Sequence, residues 1–126
     1  MEDLGRHKMD SEYYQISQET ADAINETKRN KRNVFAVGTS VVRALETSVT
    51  SEGWSKPSQG WTDKFIYPPY DFKIVDRLIT NFHLPHSTLL MLVCAFSNTD
   101  LVFKAYRKAM RDKFHFYSYG DAMLIV

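Results

Sequence analysis

The stretch from Thr80 to Ser87, TNFHLPHS, sets an amide, two imidazoles and two hydroxyls against one of the most apolar runs in the chain, Leu89 to Phe96. Side chains alternate on extended backbone, so Asn81 and His83 share one face while Phe82 and Leu84 share the other. An imidazole titrates near neutral pH. With an amide beside it and the N–H groups of a helix opening at Pro85, the pattern suits proton transfer and orientation of a reacting group. A histidine bonded to a backbone carbonyl would have the same spacing, and spacing does not choose between the two. Near the other end, Phe116 to Asp121, FYSYGD, places Tyr117 and Tyr119 on one face and the Asp121 carboxylate just past a glycine, where it either reaches a cleft or shapes a turn.

Two further groups could hold a substrate. In Val37 to Arg43, VGTSVVR, an apolar run ends in Gly38, Thr39 and Ser40 where a helix begins. Amide N–H groups, hydroxyls and the helix dipole there favour a carboxylate or phosphate, with Arg43 one turn further on. Thr39 or Ser40 acting as a plain N-cap meets the same pattern, which is neither a P-loop nor a dinucleotide fingerprint. Arg43 and Glu46 lie three apart and could pair on the helix surface. In the second group, Trp61, Tyr67 and Tyr70 mix with Asp63 and two prolines. Aromatic faces hold a base or a sulfonium cation, which a carboxylate steadies; an aromatic edge of the core would look alike. The basic cluster Lys28, Arg29, Lys31 and Arg32 offers itself to RNA phosphates or simply complements a helix C-terminus.

These groups need elements to carry them. A strand is predicted over Glu12 to Ile16 and a helix over Gln18 to Arg32, with Ala21, Ile24 and Lys28 along one side. Val34 to Val37 reads as a fully buried strand ended by Gly38, followed by a helix over 39–49 with Val42, Leu45 and Val49 on one face. Residues 51–60 form a loop, 61–70 a strand that Pro68 and Pro69 terminate, and 72–82 an extended segment. One helix opens at Pro85 and another at Asn98 or Thr99, the latter burying Val102, Tyr106, Ala109 and Met110. Two short strands flank Gly120. Helices alternating with strands predict an α/β layer.

Composition narrows the setting. The 126 residues suit one domain. A net charge of +1 excludes a bulk electrostatic grip on nucleic acid or lipid, leaving only local patches. The single cysteine, Cys94, excludes an internal disulfide and a thiolate metal cluster, and no metal is implied. It suits a reducing compartment, hence a cytoplasmic location. The run from Leu89 to Phe96 is far short of the roughly 20 residues of a membrane span. The opening, MEDLGRHKMDSEYYQI, reads as a segment entered partway through a larger domain.

Taken in order, HKMDSEYYQI, FAVGTSVVRALE, the block from Gly60 to Phe96 and the tail FYSYGDAMLI resemble the C-terminal portion of the S-adenosylmethionine:tRNA ribosyltransferase-isomerases of queuosine biosynthesis. The resemblance covers almost the whole chain and departs from the family's usual residues at Asp10, Val41, His86 and Tyr117. It implies a barrel-like or layered α/β domain, here only its C-terminal part, without the all-β domain that the family carries in a long N-terminal part. It implies transfer and isomerisation of the ribosyl group of S-adenosylmethionine onto a 7-aminomethyl-7-deazaguanine at the tRNA wobble position. S-adenosylmethionine would be the ribosyl-donating substrate, with tRNA and the family's N-terminal part as partners. On that resemblance His83, Asn81 and Asp121 are the candidates for proton transfer and orientation. Gly38, Thr39, Ser40 and Arg43 would hold an anion, and Trp61, Asp63, Tyr67 and Tyr119 the cationic or aromatic parts of the substrates. The chain alone would be inactive and, with apolar surface uncovered, prone to self-association. A noncatalytic module that binds RNA or a partner chain is the competing expectation.

Overall fold

A computed structural model describes residues 10–82, 88–113 and 122–126. The elements run β1 (Glu12–Ile16), α1 (Gln18–Arg29), β2 (Phe35–Val37), α2 (Thr39–Thr47), β3 (Ser58–Thr62), β4 (Arg77–Asn81), α3 (Thr88–Phe96), α4 (Thr99–Arg111) and β5 (Ala122–Ile125). The predicted α/β character holds, in the form of two open sheets with helices packed on them. His83, His86, Tyr117, Tyr119 and Asp121 lie outside the described residues, as do the start of the helix expected at Pro85 and the first of the two strands expected about Gly120.

Local chemistry sets the helix ends. Ser17 caps α1, its hydroxyl accepting from the Thr20 amide at 3.1 Å. The helix stops three residues short of the predicted Arg32 because Lys31 turns left-handed (φ 56°). The Arg32 amide then reaches back to the Thr27 carbonyl and that of Lys31 to the Lys28 carbonyl, each at 3.0 Å, the paired closure usually built on glycine. Asn98 caps α4, accepting from the Leu101 amide at 2.7 Å. Val102, Tyr106 and Ala109 are buried as predicted, whereas Met110 is exposed. Neither Thr39 nor Ser40 caps α2; Gly38 does so with its backbone, at φ 97°, a conformation that a Cβ would strain.

β1 and β3 pair antiparallel, with Tyr14 opposite Gly60. β3 starts at Ser58, inside the predicted loop, and ends at Thr62, so most of the strand expected over 61–70 is irregular backbone. The second sheet runs β2-β4-β5: β2 is parallel to β4, with Ala36 opposite Leu78, and β5 is antiparallel to β4, with Ile79 opposite Leu124. The ladder thus puts Ala36, Leu78 and Ile125 on one face and Phe35, Val37, Ile79 and Leu124 on the other. Ala36 and Leu78 are fully buried, while Phe35 and Val37 are 53% and 66% exposed. Full burial of β2 is therefore not observed: its apolar run is clad on one face only.

The core gathers Val42 and Leu45 of α2, Leu78, and Leu90, Leu92, Val93 and Cys94 of α3. Phe82, directly after β4, stacks edge-on against Tyr106 of α4 at 5.2 Å between ring centres. Burial pushes the Cys94 thiol above its ordinary pKa, in keeping with an inert interior sulfur. Among the described residues no single helix is long and apolar enough to cross a membrane.

Candidate active site

Because β2 and β4 run parallel, their carboxyl ends lie at the same edge of the sheet. The Gly38 amide donates to the Ile79 carbonyl at 2.8 Å, extending the ladder one residue beyond β2, and α2 starts with the next residue. The helix therefore presents its first turn beside the end of β4. Thr39 is buried there and Ser40 exposed. Asn81 ends β4 two residues beyond Ile79, half-buried and opposite Ala122, the sequence neighbour of Asp121. Alternation along β4 puts Asn81 on the face of Ile79 and Val37, and Phe82 on the core side, which bears out the expected division of that stretch for its described residues. Gly38, Thr39, Ser40 and Asn81 thus come together at one edge.

Arg43 stands apart from this group. It is buried to 1% exposure, and its guanidinium is occupied by the protein itself. Nε donates to the Lys64 carbonyl at 3.1 Å and one terminal nitrogen to the Glu12 carboxylate at 2.6 Å. The other donates to the carbonyls of Asp10 at 2.8 Å and Thr62 at 3.2 Å. The side chain ties α2 to the β1-β3 sheet. Exposed Asp63 lies between two residues whose carbonyls it binds, and Trp61, 70% exposed, meets Tyr13 across that sheet at 5.7 Å. Tyr67 is half-buried against Phe65, at 4.8 Å.

The sequence reading missed Glu46. The expected surface pairing of Arg43 with Glu46 is overturned: both are buried, and each bonds elsewhere. One Glu46 oxygen accepts from the Lys73 amide at 2.9 Å and from the Tyr70 hydroxyl at 3.3 Å; the other accepts from the amides of Ile74 at 2.9 Å and Val75 at 3.1 Å. Three successive backbone N–H groups and a phenol enclose the carboxylate, an anion nest made by the protein for its own side chain. Burial, and next the Glu46 charge, push the Tyr70 phenol well above its usual pKa, so it remains a donor. The nest fixes the segment leading into β4, and Asp76 fastens its end by accepting from the Val34 amide at 2.8 Å. The signal lay in spacing: Thr39, Val42, Arg43 and Glu46 follow the i, i+3, i+4, i+7 pattern of a buried helix face.

Adjacent parallel strands with a helix starting at their carboxyl ends place the chain in a broad class, the α/β domains, in which ligands commonly bind outside those ends. The chain belongs to the queuosine biosynthesis protein family, whose model matches residues 1–125. It is 58% identical over 125 residues to the S-adenosylmethionine:tRNA ribosyltransferase-isomerase of Sulfurihydrogenibium sp., covering 99% of this chain and 36% of that protein. It is likewise 58% identical over 126 residues to the Chloroherpeton thalassium protein of the same name, again with 99% and 36% covered. A solved structure of S-adenosylmethionine tRNA ribosyltransferase from Thermotoga maritima aligns with a TM-score of 0.81 and 48% identity over 90% of this chain and 40% of that one. The chain thus spans little more than a third of the length of these curated relatives.

Proposed function

We propose that this chain is the part of a ribosyltransferase-isomerase that carries its acid–base and anion-holding edge. The whole enzyme moves the ribosyl group of S-adenosylmethionine to a 7-aminomethyl-7-deazaguanine at the tRNA wobble position, giving epoxyqueuosine and releasing adenine and methionine in the cytoplasm. The observation that carries the reading is the match to enzymes of that name along 99% of the chain, at 58% identity. The convergence of Gly38, Thr39, Ser40 and Asn81 at one strand edge supports it.

A sulfonium acidifies the hydrogens of the adjoining ribose carbon, so a positioned base generates an ylide-like carbanion. Attack by the aminomethyl nitrogen at the anomeric carbon expels adenine and opens the ribose ring to an iminium. The carbanion bonds to that carbon to close the five-membered carbocycle, and the freed ring oxygen displaces methionine to close the epoxide. In this scheme His83 moves the proton, with Asn81 and Asp121 orienting it or the substrate. The first turn of α2, with Thr39 and Ser40, receives a carboxylate or phosphate. Trp61, Tyr67 and Tyr119 supply stacking surface and Asp63 a counter-charge. Arg43 acts indirectly, by holding α2 in place.

The test uses a full-length family member carrying the equivalent of His83→Gln. Turnover, read as adenine release, is expected to fall on the order of a hundredfold while melting stays unchanged, with a smaller loss for Asn81→Ala. Wild-type turnover in the His83 variant would return that histidine to a structural role. The 126-residue chain alone, given S-adenosylmethionine and precursor tRNA, is expected to release no adenine.

A further inference from the structure

The outer face of α4 carries a row of like charges that its own fold does not use. Lys104, Arg107, Lys108 and Arg111 recur at i, i+3, i+4 and i+7, so they form one stripe, and all four are exposed. The stripe lies opposite the face that buries Val102, Tyr106 and Ala109. With Lys113 just beyond the helix, residues 104–113 hold five cations and one carboxylate, a net +4 in a chain whose total is +1, which leaves −3 for all the rest. Residues three and four apart on a helix are neighbours, and like charges there destabilise it. α1 avoids this: Arg29 pairs with Glu26 at 3.0 Å and Gln18 bonds to Asp22 at 2.7 Å. In α4 Asp112 pairs with Lys108 at 3.0 Å, while Lys104, Arg107 and Arg111 have no ion-pair partner among the described residues. The helix dipole favours Lys108 and Arg111, which stand in the last turn, and gives nothing to Lys104 and Arg107.

The helix leads toward the candidate site. Leu101 and Val102, near its start, line a cavity with Ile125 and Val126, and Ile125 lies opposite Leu78, at the beginning of β4. Further on, Tyr106 meets Phe82, just past the end of β4. α4 therefore runs with β4 toward the edge where Asn81 and the first turn of α2 stand, and Lys108 and Arg111 continue in that direction. We propose that this stripe binds the sugar-phosphate backbone of the tRNA whose wobble base enters the site, with Lys104 and Arg107 on successive phosphates. At about 1.5 Å per residue the stripe is about 10 Å long, the reach of about three phosphates of one strand. Such contacts read no base; they fix the position and orientation of the RNA. The proposal rests on the reading above in taking tRNA as the substrate.

The experiment titrates a fluorescently labelled anticodon-arm hairpin of tRNA with this chain and reads anisotropy over a series of salt concentrations. Lys104→Gln combined with Arg107→Gln should raise Kd roughly tenfold or more at about 0.1 M salt. It should also flatten the slope of log K against log salt by about 1.5, roughly 0.7–0.9 for each lost phosphate contact. Glutamine is a good helix former and the like-charge neighbours disappear, so the urea midpoint should hold or rise. Lys31→Gln combined with Arg32→Gln removes the same charge from exposed residues after α1 and should change Kd less than about twofold. Phosphatidylserine vesicles, offered in place of the hairpin, should bind more weakly. No binding of the hairpin, equal losses in the two double variants, an unchanged salt slope, or vesicles bound more tightly than the hairpin would each overturn the proposal. Stripe-dependent binding upholds it whatever His83→Gln does to turnover, and a failed His83 test counts against the catalytic reading alone.

Discussion

Helices α2 and α3 each span nine described residues and lie in the same core, yet they are held by different physics. α3 buries Leu90, Met91, Leu92, Val93 and Cys94, apolar side chains whose packing is strong but non-directional. α2 buries Arg43 and Glu46 beside Val42 and Leu45, and each charged group is met by several hydrogen bonds of defined direction. Burying charge is a poor way to gain stability, since apolar residues of similar volume commonly do as well. What directional bonds add is position. A helix packed by methyl groups tolerates small rotations and slides, whereas one pinned by a guanidinium on one sheet and a carboxylate in a backbone nest has one rotation and one height. α2 is the helix whose first turn meets the end of β4, so the fixed placement falls where the candidate site lies.

Substitutions that separate the two modes of attachment test this contrast. Replacing Arg43 with Met keeps much of the volume but leaves the Glu12 carboxylate and the carbonyls of Asp10, Thr62 and Lys64 without their donor. A loss of about 3 kcal/mol is expected in urea unfolding, chiefly from the carbonyls left without a donor, since the Glu12 carboxylate is 39% exposed and regains water. A loss below about 1 kcal/mol would show that α2 is held by apolar packing after all. Glu46→Gln keeps the shape but turns one acceptor toward backbone amides as a donor. About 2 kcal/mol should be lost, with faster amide exchange at Lys73, Ile74 and Val75. Exchange at those three amides equal to that of the unsubstituted protein would remove Glu46 as the anchor of that segment. Leu92→Met, the volume-conserving swap in α3, should cost less than about 1.5 kcal/mol. A larger loss would mean that α3 too is held by exact fit, and the contrast would fail.

The same contrast explains how much could be read in the sequence. Apolar periodicity found α1 and α4 and most of their buried residues, and alternation separated Asn81 from Phe82, because packing periodicity is written directly in residue types. It failed where polar groups are buried: Arg43 and Glu46 occupy core positions, and a reading that equates charge with surface sends them outward. The path of 63–76 follows from those two side chains, so it was hidden as well. β2 was read as buried on both faces because four apolar residues in a row carry no record of which face is covered within this chain. At the site, the turn at Gly38 was recognised but its cap was assigned to Thr39 or Ser40. The backbone of a left-handed glycine satisfies the helix end without a side chain, and residue type alone does not show that.

Gly38 carries one more consequence. Its amide closes the β2-β4 ladder and its carbonyl receives the Val42 amide at 3.5 Å, so strand and helix are joined by a connection with no residue of its own to spare. Such a joint has no tolerance for length. One added residue would turn the buried stripe of α2 by about 100°, carrying Arg43 and Glu46 away from their partners. The exposed bend at Ser51 and Glu52, by contrast, can lengthen at little cost. Natural variation in this family should therefore gather insertions at that bend and exclude them between Val37 and Thr39, a pattern set by geometry before any demand of catalysis.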